Sequence, residues 1–136
     1  MFSTGQPVRV LVIDDDEDDF LIIQDYIQSI ENANFALEWC YTYKDALSRF
    51  AAHQHDIYFV DYRLGAKTGI DLLKDAVEMR CEEPIILLTG KGNRAIDREA
   101  MHVGAVDYLV KSDLNTEKLE RCIRYALDNA TTIKAL

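Results

Sequence analysis

Proline is scarce in this 136-residue chain: it has 2, beside 6 glycines and 3 cysteines. So few breakers exclude collagen-like and linker-dominated architectures. Long hydrophobic runs are missing too. The longest apolar stretches, such as Val8 to Ile13 and Pro84 to Leu88, fall far short of the roughly 20 residues that a membrane span needs. The amino end, Met1-Phe2-Ser3-Thr4-Gly5-Gln6, carries neither the basic flank nor the apolar core of a signal peptide. These absences lead us to expect a cytoplasmic protein with no membrane partner. Cys40, Cys81 and Cys122 are isolated, with no CxxC spacing, so neither a disulfide framework nor a zinc site is suggested. We read all three as buried small hydrophobes.

Basic clusters are also lacking. With 24 acidic and 15 basic side chains the net charge is −9, the wrong sign for neutralising phosphates, so direct nucleic-acid binding is not expected. A hydrophobic content of 49% with 10% aromatics is too high for an acidic disordered tail. The chain is expected to fold as one domain, residues 1–136, with its core over about 8–129 and a tail over 130–136.

What is present is a regular alternation. Val8 to Ile13 is a β-branched run that stops at acid, the pattern of a strand covered on both faces. Phe20, Ile23, Ile27 and Ile30 then fall on one helical stripe. A strand over Phe35 to Tyr41 follows, and a helix capped by Thr42 with Asp45 three residues on. Ile57 to Val60 reads as the third strand, followed by a turn with Gly65 and Gly69 and a helix bearing Ile70, Leu72, Leu73 and Ala76. Ile85 to Leu88 forms the fourth strand, ending at Thr89. Arg94 to Val103 forms a helix stopped by Gly104. Val106 to Val110 is the fifth strand, and the last helix runs from about Thr116 to Asn129. This is an α/β fold, a flavodoxin-like (βα)5 three-layer sandwich around a parallel sheet of order 2-1-3-4-5.

In such a sheet, ligands bind beyond the carboxyl ends of the strands. There the sequence places Asp14, Asp15 and Asp16 after strand one, Asp61 after strand three, Thr89 closing strand four and Lys111 after strand five. Like charges a few ångströms apart repel by about 1 kcal/mol per pair in water and about 4 at an effective dielectric of 20. A divalent cation removes that penalty, and oxygen-only ligands select Mg²⁺. Carboxylate, metal, ammonium and hydroxyl form a set suited to handling phosphoryl groups. Asp61, alone on the central strand, is the candidate nucleophile, and Asp14 and Asp15 are better used holding metal. Glu17, Asp18 and Asp19 are read as a solvated acid run at a helix N-terminus. His53, His55 and His102 are read as surface histidines. An EF-hand over Asp14, Asp16 and Asp18 fails because its sixth position needs Gly and holds Asp19. Flavin or nucleotide binding lacks a Gly-rich loop after strand one.

Through these residues the chain resembles the receiver domain of two-component response regulators. The matches are Asp14-Asp15 after Val10-Leu11-Val12-Ile13, Asp61 after Ile57-Tyr58-Phe59-Val60, Gly69 eight residues on, Thr89, and Asp107-Tyr108-Leu109-Val110-Lys111. The resemblance implies that a histidine kinase or histidine phosphotransfer protein donates a phosphoryl group to Asp61. Mg²⁺ would be held by Asp14, Asp15, the Asp61 carboxylate and the backbone carbonyl of Arg63. Thr89 and Lys111 would contact the phosphoryl group, and Thr89 with Tyr108 would form the switch. The surface of helix four, strand five and helix five would change and offer a homodimer face. The protein would be a signalling switch, not an enzyme with an external substrate.

The alternatives are a Mg²⁺-dependent aspartyl-phosphate phosphatase, which typically wants a carboxylate where Arg63 stands, and an unphosphorylated interaction module. Three positions depart from the family pattern: Gly65 where Pro is common, Gly90 where Ala is usual, and Ser112 where Pro follows the Lys. The last weakens the expectation of a cis bond after Lys111, because cis peptides are essentially a proline feature.

Overall fold

The computed structural model describes residues 6–135, the last five by backbone alone. The amino-terminal segment Met1 to Gly5, read above for targeting signals, and Leu136 lie outside the described residues. The elements are β1 (Val8–Ile13), α1 (Glu17–Gln28), β2 (Phe35–Cys40), α2 (Tyr43–Ala52), β3 (Ile57–Asp61), β4 (Arg63–Leu64), β5 (Lys67–Thr68), α3 (Gly69–Glu78), β6 (Ile85–Thr89), α4 (Arg94–Val103), β7 (Asp107–Val110) and α5 (Thr116–Ala135). Five strands form one sheet in the order β2-β1-β3-β6-β7, and every pairing in it is parallel. This is the expected 2-1-3-4-5 order, renumbered because β4 and β5 form a separate hairpin.

Successive strand residues point to opposite faces, and the core divides accordingly. Val10, Val12, Phe59 and Ile86 meet Phe20, Ile23, Ile27 and Ile123 of α1 and α5. Leu11, Ile13, Val60 and Leu87 meet Phe50, Ile70, Leu73 and Ala100 of α2, α3 and α4. Each such side chain contributes about 1.5–3 kcal/mol on burial. A sheet apolar on both faces therefore requires helices on both sides.

Local chemistry sets the helix ends. Thr42 caps α2 by accepting from the Asp45 N–H, as its spacing predicts. Thr68 and Asp71 cap α3 reciprocally. α5 runs on to Ala135, through most of the segment read above as a tail. The β4–β5 hairpin pairs Arg63 with Thr68 and Leu64 with Lys67. Its two-residue turn begins at Gly65 with φ +64°, a left-handed conformation that proline's fixed φ near −65° cannot adopt. That accounts for the absence of Pro at this position. None of the peptide bonds in the described residues is cis, including the one before Ser112.

Two readings are corrected. His55 is buried, not on the surface: its Nε2 lies 2.7 Å from Glu38 Oε1 and its ring packs 5.7 Å from that of Tyr58. The polar run His53-Gln54-His55-Asp56 hides the fact that His55 stands two residues before a central strand. Cys81 is half-buried, whereas Cys40 and Cys122 are buried as expected.

Candidate functional site

Strand register brings the acids together. Ile13 pairs with Val60, so the residues after them, Asp14 and Asp61, leave neighbouring strands side by side. Asp61 pairs with Leu88 and Thr89 with Val110, which puts Thr89 and Lys111 on the same rim. Asp14, Asp61 and Thr89 are buried, while Asp15 is exposed.

One carboxylate oxygen from each of Asp14, Asp15 and Asp61 lies within 4.8 Å of the others. The Lys111 ammonium sits 2.8 Å from Asp14 Oδ2, 3.0 Å from Asp61 Oδ1 and 2.7 Å from Asp19 Oδ2. Burial, and then the charge of Asp14, push the Asp61 carboxyl up to about 6. Burial likewise raises Asp14. Burial disfavours the Lys111 ammonium, but its hydrogen bonds to Asp14 and Asp19 outweigh that and hold it above the usual lysine range. Three carboxylates thus share one ammonium, with Asp15 a fourth acid beside them. A compact, oxygen-only, partly desolvated donor set with uncompensated negative charge fits a hard divalent ion.

The surroundings fix each group. The Asp16 N–H donates to Asp14 Oδ1 at 2.9 Å, and the Trp39 indole N–H donates to the Asp14 carbonyl at 2.8 Å. Gly65 N–H reaches Asp15 Oδ2 at 3.4 Å. Arg63 opens β4 at the rim with its side chain exposed. Gly69 is required by close approach: a Cβ there would lie 2.4 Å from the Asp61 carbonyl oxygen and 2.7 Å from Leu87 Cδ1. Thr89 Oγ1 donates to the Lys91 carbonyl at 3.1 Å. The Tyr108 hydroxyl accepts from the Asn93 N–H at 3.0 Å and lies 3.5 Å from that same Lys91 carbonyl. Around these groups runs a cleft of about 710 Å³, lined by Asp15, Asp61, Arg63, Thr89, Lys91 and Lys111 among others. A second groove of about 660 Å³, between the end of α1 and α5, is lined by Glu31, Glu117, Glu120 and Arg124 among others.

Asp14, Asp15, Asp61, Arg63, Thr89 and Lys111 therefore come to one rim, and the Tyr108 hydroxyl reaches the 91–93 loop beside it. Asp19 corrects the reading of a wholly solvated acid run, since it is half-buried against Lys111. Its signal was the third helical position after Asp16. Trp39 was missed, because nothing in a strand sequence shows that an indole points along the sheet edge toward a neighbouring carbonyl.

The five-stranded parallel α/β fold has an acidic rim at its strand ends, and the chain belongs to the response regulator receiver domain family, whose model matches residues 10–124. It is 31% identical over 110 residues to the photosynthetic apparatus regulatory protein RegA of Rhodovulum sulfidophilum, covering 81% of this chain and 58% of that protein. It is 30% identical over 120 residues to the transcriptional regulatory protein ZraR of Salmonella typhimurium, covering 88% and 26% respectively. The chain thus spans less than two thirds of the length of either relative. Among solved structures, the signal receiver domain of a LuxO repressor protein from Vibrio parahaemolyticus superposes with a TM-score of 0.84 at 19% identity, covering 96% of this chain and 97% of that one. A response regulator protein from Burkholderia pseudomallei, solved with a phosphorylated aspartic acid, calcium ion and citrate, gives 0.70 at 28% identity over 94% and 71%.

Proposed function

We propose that this receiver accepts a phosphoryl group on Asp61. The observation that carries the reading is the gathering of Asp14, Asp15 and Asp61 within 4.8 Å, with the Lys111 ammonium 3.0 Å from Asp61. Receivers of this family are phosphorylated by histidine kinases and generally bind Mg²⁺. The residues here that would hold that ion are Asp14, Asp15, Asp61 and the backbone carbonyl of Arg63. When bound, it supplies positive charge for the phosphoryl oxygens.

An Asp61 carboxylate oxygen attacks the phosphorus of a phosphohistidine, on a histidine kinase or histidine phosphotransfer protein. The P–N bond breaks, its electron pair stays on the imidazole, and an acyl phosphate forms on Asp61. Lys111 offers an N–H to a phosphoryl oxygen, and the Thr89 hydroxyl exchanges the Lys91 carbonyl for another. Because Thr89 and Tyr108 share that carbonyl, withdrawal of Thr89 frees it for Tyr108 and shifts the 90–93 loop, and with it the face formed by α4, β7 and α5. That face is the output and homodimer surface in this reading. The role is signalling, with no external metabolic substrate.

The test is incubation with Mg²⁺ and acetyl phosphate, followed by mass spectrometry. One phosphoryl increment, lost in Asp61→Asn, is the expected result. Labelling that survives this substitution overturns the assignment, and turnover of ordinary phosphomonoesters supports a phosphatase instead.

A further inference from the structure

We propose that Asp19 is a positioning residue that restrains the Lys111 ammonium, so that its negative charge slows phosphoryl uptake on Asp61. The inference rests on the phosphoacceptor reading above and concerns the rate at which that site loads.

The first turn of α1 shows why Asp19 is available for this. Asp16 is the N-cap, accepting from the Asp18 N–H, which makes Asp19 the third helical residue. At the same position in α3, Asp71 turns back and accepts from its N-cap, the Thr68 N–H, at 2.9 Å. In α1 the N-cap N–H of Asp16 is already taken by Asp14 Oδ1 at 2.9 Å. Asp19 therefore has no local donor to return to, and its carboxylate reaches across the rim to Lys111 at 2.7 Å. That is the shortest of the three contacts the ammonium makes.

An ammonium has three N–H donors and no acceptor, and here three carboxylates face it. Asp14 and Asp61 belong to the cluster that gathers metal-ligand oxygens, and Asp19 stands outside it. Its charge therefore stabilises the ammonium without contributing to that cluster. Phosphorylation replaces the single negative charge of the Asp61 carboxylate with up to two on the phosphoryl group, a net gain of one facing the same ammonium. The phosphoryl group must share the Lys111 donors with Asp19 and lie near a like charge only one ammonium away. A unit charge at ~5 Å in a half-exposed site, screened by solvent, alters such a step by roughly three- to tenfold.

Four proteins separate charge from tethering: wild type, Asp19→Asn, Asp19→Ala and Asp19→Glu. Each is phosphorylated by acetyl phosphate at saturating Mg²⁺, and the initial rate is read by mass. We expect Asp19→Asn and Asp19→Ala to load roughly three- to tenfold faster than wild type, and Asp19→Glu to return close to the wild-type rate. The gain should shrink as salt is raised. A purely tethering role gives a different pattern: Asn, which keeps an oxygen acceptor, matches wild type and Ala is slower. That result, or variants no faster than wild type, overturns the inference and leaves the phosphoacceptor reading intact. A wild type that takes no label overturns the reading itself. The second readout is the Mg²⁺ midpoint of each protein, which should move less than about threefold. A weakening beyond about tenfold would place Asp19 in the metal set and also overturn the inference.

Discussion

Trp39 donates its indole N–H to the main-chain carbonyl of Asp14 across 2.8 Å, while its ring stacks on Phe20 with centroids 5.8 Å apart. The chain has a single tryptophan, so this contact makes its emission a local probe of the acidic rim. Titration with Mg²⁺ should change that emission saturably. Asp15→Asn, which turns one carboxylate of the cluster into a neutral amide but leaves the indole contact untouched, should weaken the midpoint by roughly tenfold or more. Emission unchanged at saturating Mg²⁺ would count against a metal at this cluster.

The raised Asp61 carboxyl fixes the sign of a pH effect. Its value of about 6 in the folded protein exceeds the ~3.9 of an unfolded aspartate, so the folded state holds the proton more tightly. The associated stability is fully present below pH ~4 and is lost as pH rises through about 6. Without divalent cations, Asp61→Asn should therefore gain in Tm relative to wild type across that interval. Adding Mg²⁺ at neutral pH should narrow the gap. A gap that is flat with pH would contradict the burial assigned to Asp61.

Much of this is legible in the sequence. Buried parallel strands announce themselves as β-branched runs, and the helices between them carry stripes and caps, so the sheet order followed. The rim followed too, because topology dictates where strand ends meet. The hairpin of Arg63–Leu64 with Lys67–Thr68 did not, since two-residue strands have no periodicity to detect. His55 does not show its burial in the sequence, because local polarity reports average exposure and not the packing of one ring against Tyr58 and Glu38. Asp19 is hard to pick out because five neighbouring acids share one composition, and only its third helical position after the Asp16 N-cap, with the Asp16 N–H occupied, distinguishes it from Glu17 and Asp18.

Gly69 provides a stability test independent of any ligand. A methyl group there collides with the Asp61 carbonyl and Leu87, while the Gly69 N–H donates to the Tyr62 carbonyl at 2.6 Å. The backbone cannot retreat without breaking that bond. Gly69→Ala should cost about 1–3 kcal/mol in urea unfolding, with Gly90→Ala, whose site is open, near neutral as the control.

Tyr108→Phe deletes the acceptor of the Asn93 N–H from a half-exposed position. Global stability should fall by about 1 kcal/mol or less. Hydrogen exchange over residues 91–94 should nevertheless accelerate severalfold, without change in β1 or β3. Unchanged exchange in that loop would show that the hydroxyl does not anchor it.

The in-line pairing of Ile13 with Val60 and Asp61 with Leu88 gives the cleft one rigid jaw and one adjustable one. Asp14 and Asp61 stand on the innermost strands and cannot separate without shearing the sheet. The opposite wall, residues 90–93, is exposed and is pinned by the Thr89 and Tyr108 hydroxyls. Substitutions on the rigid jaw should therefore register as binding constants, and those on the adjustable jaw as lifetimes. The two halves of the rim are in that sense separately tunable.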